Sequence, residues 1–232
     1  MNQNMRIIYL ILFFFSISSF AQDTALAITI DSIISSDSTP NERKFIIIYH
    51  IQNLTNKPIS FILNTNAIQP NATSSMSYSP AYRLYQGDEI INTVSIFNTK
   101  TEKEKLGKIK KDIDFRGSVA KNNSKTNLYD YIGKRKNQIS QNIRNSIIKL
   151  GPKEIKNFSK TLDWDKNRYS EYFDNEYYLD EKETHYFDLS INLMKEEFKE
   201  RVSSEDYKKI IEDKTIIKGW AQSNKMKINF KE

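Results

Sequence analysis

The sequence predicts a mainly β protein, an antiparallel β-sandwich that carries helical insertions. Three observations lead to this prediction. Short runs rich in β-branched and aromatic residues recur along the chain, and several alternate apolar with polar positions, as strands with one buried face do. Clusters of Asn, Ser, Pro and Gly separate these runs at the short intervals typical of sandwiches. Two stretches instead have the apolar spacing of helices.

The N-terminus has the pattern of a secretory signal peptide, expected over residues 1–21. Arg6 precedes an apolar run, residues 7–15, and Ser19 and Ala21 supply the small residues that favour cleavage after Ala21. The apolar run is shorter than the roughly 20 residues of a membrane-spanning helix. We therefore expect an extracytoplasmic protein, periplasmic or secreted.

The composition predicts a folded chain without redox or metal chemistry. The 13 Phe and 13 Tyr argue against disorder. The absence of Cys excludes disulfides and thiolate metal sites, and two His are too few for a histidine cage. We expect residues 22–232 to form a single domain with no cofactor, no metal and no transmembrane segment.

The first half of this domain predicts strands. The runs are β-branched or aromatic and cover residues 27–33, 44–51, 59–63, 82–91 and 93–97. Residues 82–91 are expected to form a hairpin with Gly87 near its tip. Residues 35–41 predict a turn, and residues 64–80 predict a surface loop.

Helical spacing predicts an insertion over about 127–150. The apolar residues recur at steps of three, four or seven and form one stripe: Leu128, Ile132, Ile139, Ile143, Ile147 and Leu150. Thr126 or Asn127 is a suitable N-cap, and Gly151 followed by Pro152 is expected to end the helix. Propensity alone rarely stabilises such a helix, so the stripe should pack on the sandwich or on a partner.

The C-terminal part returns to strands around a second helix. Strands are predicted over 154–164, 184–194, 215–221 and 226–230, and a helix over about 198–213. In the last strand Met226, Ile228 and Phe230 share one face.

Basic charge is concentrated in residues 100–150, which hold 14 Lys and Arg against 5 Asp and Glu. We expect the helix to present Lys134, Arg135, Lys136 and Arg144 to an anionic glycan, an anionic membrane surface or an acidic protein. The alternative is a solvated lysine-rich insertion. Nucleic acid is not an expected partner, because the chain is exported and no basic motif interleaved with aromatic residues is present.

An aromatic and acidic segment follows. Residues 164–187 contain eight aromatic side chains, several of them tyrosines that keep a polar tip. Such side chains suit recognition surfaces, so Tyr172, Tyr177 and Tyr178 are candidate partner-binding residues. They suit the rim of a sandwich equally well.

Catalytic and metal motifs are weak. His50 and His185 are the only imidazole bases, both lie in predicted strands, and the chain has no G-x-S-x-G motif. Asp163, Asp165 and Asn167 match the first positions of a calcium loop, but arginine occupies the position that requires glycine. We therefore predict no enzyme, no catalytic residue and no metal site.

The order of these pieces resembles bacterial immunoglobulin-like domains of the intracellular-proteinase-inhibitor type. Residues 45–63 look like that family's paired strands, 82–90 like its hairpin, 150–164 like its L-x-P-x-E strand entry with tryptophan, and 186–193 like its penultimate strand. The resemblance implies an immunoglobulin-like sandwich. The expected function is non-enzymatic binding of a protein or glycan. The alternative is inhibition of an extracytoplasmic protease through a loop such as 64–80.

Overall fold

The computed structural model describes residues 25–39, 42–71, 78–93, 137–165 and 177–230. These residues form a mainly β protein, as predicted. The strands are β1 Leu26–Thr39, β2 Glu42–Asn53, β3 Ile59–Ile62, β4 Gln69–Pro70, β5 Ala81–Gln86, β6 Glu89–Ile91, β7 Ile147–Leu150, β8 Ile155–Asp165, β9 His185–Leu193, β10 Gly219–Gln222 and β11 Met226–Ile228. The helical elements are α1 over 137–145, a 3-10 helix Glu196–Phe198 and α2 Ser204–Glu212.

The strands belong to three sheets. One sheet has the order β1-β2-β8, and a two-stranded sheet pairs β3 with β7. The largest sheet has the order β10-β9-β5-β4, with β11 also paired to β9 and β6 paired to β5. All of these pairs are antiparallel except β4 with β5.

Side chains from both larger sheets meet in one hydrophobic core. Alternate residues of β2 point inward, so that Phe45 and Ile47 are fully buried. Phe187, Leu189 and Ile191 of β9 enter the same core from the largest sheet. Each such side chain contributes about 1.5–3 kcal/mol when it leaves water, which makes this core the main source of stability. The mainly β class is confirmed, and the immunoglobulin-like sandwich stays a prediction.

A second, smaller core lies under the helices. Its buried members are Ile62, Ile143, Met194, Phe198, Val202, Ile210 and Ile216. Ser203 caps α2, because its hydroxyl accepts a hydrogen bond from the Asp206 amide at 3.1 Å. The helices thus pack on the β3 side of the protein, where Ile62 is fully buried.

The predicted turn over 35–41 is wrong for its first part. Strand β1 continues to Thr39, and its residues 35–37 pair with residues 43–45 of β2. The pairing is reinforced by Arg43, whose guanidinium donates to Asp37 at 2.7 and 3.0 Å. Ser35, Ser36 and Asp37 can adopt the strand conformation because β2 provides hydrogen-bond partners for their backbone groups and Arg43 neutralises the Asp37 carboxylate.

The predicted helix over 127–150 is wrong at its C-terminal end. Helix α1 ends at residue 145, and Ile147–Leu150 form β7 against β3. Ile148 and Leu150, two positions apart, both point into the main core. The edge of β3 pairs with the backbone of residues 147–150, whereas the last carbonyl groups of a helix have no partner within the helix. Of the predicted stripe, Ile143 is fully buried, whereas Ile139 is 37% exposed. The stripe's first two residues and the predicted cap lie outside the described residues. So does the predicted strand over 93–97 except for Thr93, which is not in a strand.

The C-terminal predictions are largely confirmed. Strands β8 and β9 match the predicted ranges to within one residue at each end, and Ile228 of β11 and Phe230 just beyond it are buried. The strand predicted over 215–221 is wrong for its first part, because β10 begins at Gly219 and only an isolated bridge between Ile216 and Ser60 precedes it. The helix predicted over 198–213 divides into the 3-10 helix and α2, because residues 199–203 turn between them. Within the described part of the chain, no helix has the length and hydropathy needed to cross a membrane.

Candidate functional site around Trp220

Of the four basic residues predicted to bind a partner, the structure describes Arg144. Its Nη1 donates to Asp206 Oδ1 at 3.0 Å and thereby links α1 to α2. Ser140 and Ser203 also donate to Asp206, and their hydrogen bonds lower the pKa of that carboxyl. Arg144 therefore has a structural partner in addition to its half-exposed surface. The predicted residues Lys134, Arg135 and Lys136 lie outside the described residues.

The predicted tyrosine surface is wrong for Tyr177. This side chain is 1% exposed, and its hydroxyl donates to the carbonyl oxygen of Tyr82 at 2.9 Å. The two rings also contact each other at 5.4 Å between centroids. Tyr177 belongs to the main core because the largest sheet offers it both an apolar environment and a hydrogen-bond acceptor. Tyr178 is half-buried, and Tyr172 lies outside the described residues.

The two histidines occupy different environments. His50 Nδ1 lies 2.8 Å from a carboxylate oxygen of Asp31, and its neighbours across the sheet are Thr29 and Asn157. His185 is fully buried, and its Nδ1 donates to the carbonyl oxygen of Glu183 at 3.1 Å. Burial lowers the pKa of His185, which keeps the ring neutral.

The residues of the weak calcium-loop match are only partly described, and Asp163 belongs to an ion pair. Asp163 lies 3.7 Å from the amino group of Lys44, and its side chain is 61% exposed. Asn167 lies outside the described residues. Over the described ranges, no three His, Asp or Glu side chains are grouped so that they could hold a metal ion.

Trp220 is the most exposed large apolar side chain on the described surface, at 70%. It lies on β10, the edge strand of the largest sheet, directly after Gly219. Gly219 has φ +137°, a backbone conformation that side chains disfavour and glycine tolerates. The other tryptophan, Trp164, is instead buried, and its Nε1 donates to Glu181 at 2.8 Å. Trp220, unlike Trp164, is not part of the hydrophobic core.

A cavity of about 530 Å³ adjoins Trp220. We call it the polar cavity, since Asn71, Arg83, Ser190 and Gln222 line it beside Trp220. Residues 26–28 of β1 and Ala221 supply its apolar wall. The volume lies within the roughly 300–1,000 Å³ range of small-molecule sites, which also combine an apolar lining with a few polar groups.

A buried hydrogen-bond network fixes two polar side chains of this cavity, Arg83 and Gln222. Asp188 is fully buried and accepts from Arg83 Nε at 3.0 Å and from Arg83 Nη2 at 2.7 Å. The Tyr85 hydroxyl and Gln222 Nε2 also donate to Asp188, at 2.6 and 2.8 Å. Two-point binding of a guanidinium sets both its position and its plane. The network therefore holds Arg83 and Gln222 rigidly before any ligand arrives.

The charges of the network are mutually stabilised. The hydrogen bonds that Arg83 donates to Asp188 raise the pKa of Arg83, so the guanidinium stays cationic. Burial, followed by the hydrogen bond to Asp188, raises the pKa of Tyr85 to about 12, so the phenol stays protonated. The Lys225 amino group lies 4.0 Å from the centre of the Tyr85 ring and covers it from solvent.

The arrangement combines the polar and apolar groups that ligand-binding sites use. Arg83 lines the polar cavity, and among the described residues its guanidinium bonds to Asp188 through Nε and Nη2 only, so Nη1 keeps its donor capacity. Asn71 and Ser190 add an amide and a hydroxyl. Ser190 donates weakly to the Ala81 carbonyl oxygen at 3.4 Å, and no described base accepts its proton. The site thus offers an aromatic surface beside fixed donors and acceptors.

Sequence reasoning missed this site, although one signal was present. Trp220 follows Lys218 and precedes Gln222 at two-residue spacing, on the solvent-facing phase of a predicted strand. A tryptophan in that phase is exposed unless something covers it. Arg83 and Asp188 carried no such signal, because their pairing depends on the register of β5 against β9.

Comparison of the chain with protein-family models, with curated proteins and with solved structures gives no significant match.

Proposed function

We propose that this chain is an exported, non-enzymatic binding protein whose ligand is a saccharide that docks on Trp220. The observation that carries the proposal is the exposed indole beside a cavity lined by fixed polar groups. Sugars combine apolar C–H faces with dense hydroxyl groups, and this site combines an aromatic face with donors and acceptors.

The energetics favour a ligand that covers Trp220. An indole ring left in water is unfavourable, and covering about 100 Å² of it contributes about 2.5 kcal/mol at about 25 cal/mol per Å². Arg83 and Gln222 are already held by Asp188, so binding orders few side chains. Preorganisation of this kind reduces the entropic cost of association.

A saccharide fits the site better than a folded protein does. Protein partners usually cover about 800 Å² of each surface. The polar cavity is instead a small concavity with convergent polar groups. Mutagenesis distinguishes a protein ligand from a saccharide. A protein ligand would lose affinity when residues far from the cavity are changed, because it covers a larger surface.

Protease inhibition is the alternative function. The described residues of the segment 64–80 are cross-linked on either side of residues 72–77, because the Asn64 amide donates to the Tyr78 carbonyl oxygen and the Asn71 amide donates to the Tyr82 carbonyl oxygen, each at 2.9 Å. A protease-blocking segment needs such anchoring to the body of the protein. Titration against a panel of extracytoplasmic proteases separates the two functions, since stoichiometric inhibition supports the alternative.

Export is part of the proposal and depends on the N-terminal sequence pattern. N-terminal sequencing of the protein from its native source should give Gln22 as the first residue. A cytosolic protein that begins at Met1 would contradict export.

A glycan array followed by isothermal titration tests the saccharide proposal. We expect the wild type to bind at least one saccharide class and Trp220→Ala to bind it at least tenfold more weakly. Ile155→Ala is the matched control, because Ile155 is 51% exposed but lies on β8, outside the cavity. Absence of saccharide binding, or equal losses in both variants, contradicts the proposal.

A further inference from the structure

A second cavity meets the polar cavity at Trp220. It has a volume of about 650 Å³, and Leu26, Trp220 and Ala221 line both cavities. Trp220 therefore lies between two concavities rather than at the end of one. A single sugar ring stacked on the indole leaves one of them empty, whereas a chain of sugars can enter both.

The second cavity carries excess positive charge. Lys195, Lys214 and Lys218 line it against one acid, Glu196, and we call it the lysine cavity. The polar cavity differs, because Asp188 neutralises its arginine there. A ligand that spans both cavities thus meets a neutral part and a cationic part.

Two of these lysines are available to a ligand. Lys214 makes no hydrogen bond or ion pair with another described residue. Lys218 pairs with Glu196 at 2.6 Å, and both side chains are more than half exposed. An exposed pair of this kind contributes only about 0–1 kcal/mol, so a ligand anion can displace Glu196. Lys195 is different, because its amino group donates to the carbonyl oxygens of Asp213 and Ile216.

We propose that the ligand is a linear acidic saccharide, that the indole of Trp220 binds its middle, and that the lysine cavity binds carboxylate or sulfate groups on one side. This inference rests on the proposed saccharide function and adds chain length and charge to it. Attraction to the lysines should weaken with salt, because the Debye length falls from about 10 Å at 0.1 M to about 3 Å at 1 M.

The test is a length series measured by isothermal titration with the full mature chain. The probes are uronic-acid oligosaccharides of two to six units, sulfated oligosaccharides of the same lengths, and neutral ones as references. For the wild type, we expect the acidic hexasaccharide to bind at least tenfold more tightly than the acidic disaccharide. The affinity ratio between the neutral hexasaccharide and the neutral disaccharide should be smaller. The uronate and sulfated arms identify which anion is preferred.

The variant Lys214→Gln with Lys218→Gln should reduce the ratio of hexasaccharide to disaccharide affinity at least fivefold. Lys208→Gln is the control, because Lys208 is an equally exposed lysine on α2 that does not line the cavity. If saccharides bind but length and charge have no effect, the acidic-chain inference is wrong and the proposed function stands. If no saccharide binds, both are wrong.

Discussion

Asp188→Asn is the substitution that most directly tests the network behind the site. In the wild type, the buried carboxylate accepts four hydrogen bonds, two of them from Arg83. Asparagine retains one acceptor oxygen, removes the charge and places an amide donor against donors. Arg83, whose side chain is 19% exposed, then lacks its counterion. Breaking a buried pair from one side costs about 3–5 kcal/mol. Because Arg83 reaches solvent, we expect a loss of about 2–4 kcal/mol in the free energy of unfolding.

Urea unfolding, followed by circular dichroism, measures this loss. Asp163→Asn is the matched control, since Asp163 faces Lys44 at 3.7 Å with 61% of its side chain exposed. An exposed pair of this kind is worth about 0–1 kcal/mol. If Asp188→Asn loses no more stability than Asp163→Asn, the network does not hold Arg83 in the way we describe.

The remaining predictions concern the two cores and pH. Ile143→Asp should destabilise the protein by several kcal/mol, because Ile143 is fully buried. Ile139→Asp should have little effect, because Ile139 is 37% exposed. Equal unfolding midpoints of the two variants would contradict the packing of α1. Tyr177→Phe should cost about 1 kcal/mol through loss of the hydrogen bond to Tyr82, measured by thermal unfolding, and an unchanged midpoint would place Tyr177 outside the core. Burial lowers the pKa of His185 in the folded state, so the unfolded chain binds that proton more readily. The free energy of unfolding should therefore fall as the pH drops below about 6.5, by at most about 1.4 kcal/mol per pH unit. His185→Gln should reduce this pH dependence. If the variant had the same pH dependence as the wild type, His185 would not be its cause.

The strands that local pattern predicts well are those whose apolar residues alternate in one uniform register. In β9, Phe187, Leu189 and Ile191 enter the core on every second position, and nothing in the surrounding sequence suggests another period. The mainly β class follows from such runs. The residues from Ile139 to Leu150 fit two periods, since Ile139 and Ile143 suit a helix, whereas Ile148 and Leu150 suit a strand. The edge of β3 decides between them, and that edge is set by residues far away in the sequence.

The candidate site is harder to predict because it is assembled across the sheet. Arg83 and Asp188 are 105 positions apart and become neighbours through the register of β5 against β9. Tyr177 illustrates the opposite error, since its polar tip suggested a recognition surface while a backbone carbonyl allowed it to be buried. Residue type indicates what a side chain can do, and only tertiary pairing determines where it does so.

The most direct test of the Trp220 site uses the protein's two tryptophans as a probe and its internal control. In a ¹H–¹⁵N spectrum each indole gives one N–H signal, and Trp220→Phe assigns them. Trp220 is 70% exposed, whereas Trp164 is buried and donates to Glu181. Titration with a saccharide that binds should shift the Trp220 signal progressively and saturably while the Trp164 signal stays in place. Saturable binding that leaves the Trp220 signal unmoved would contradict the account.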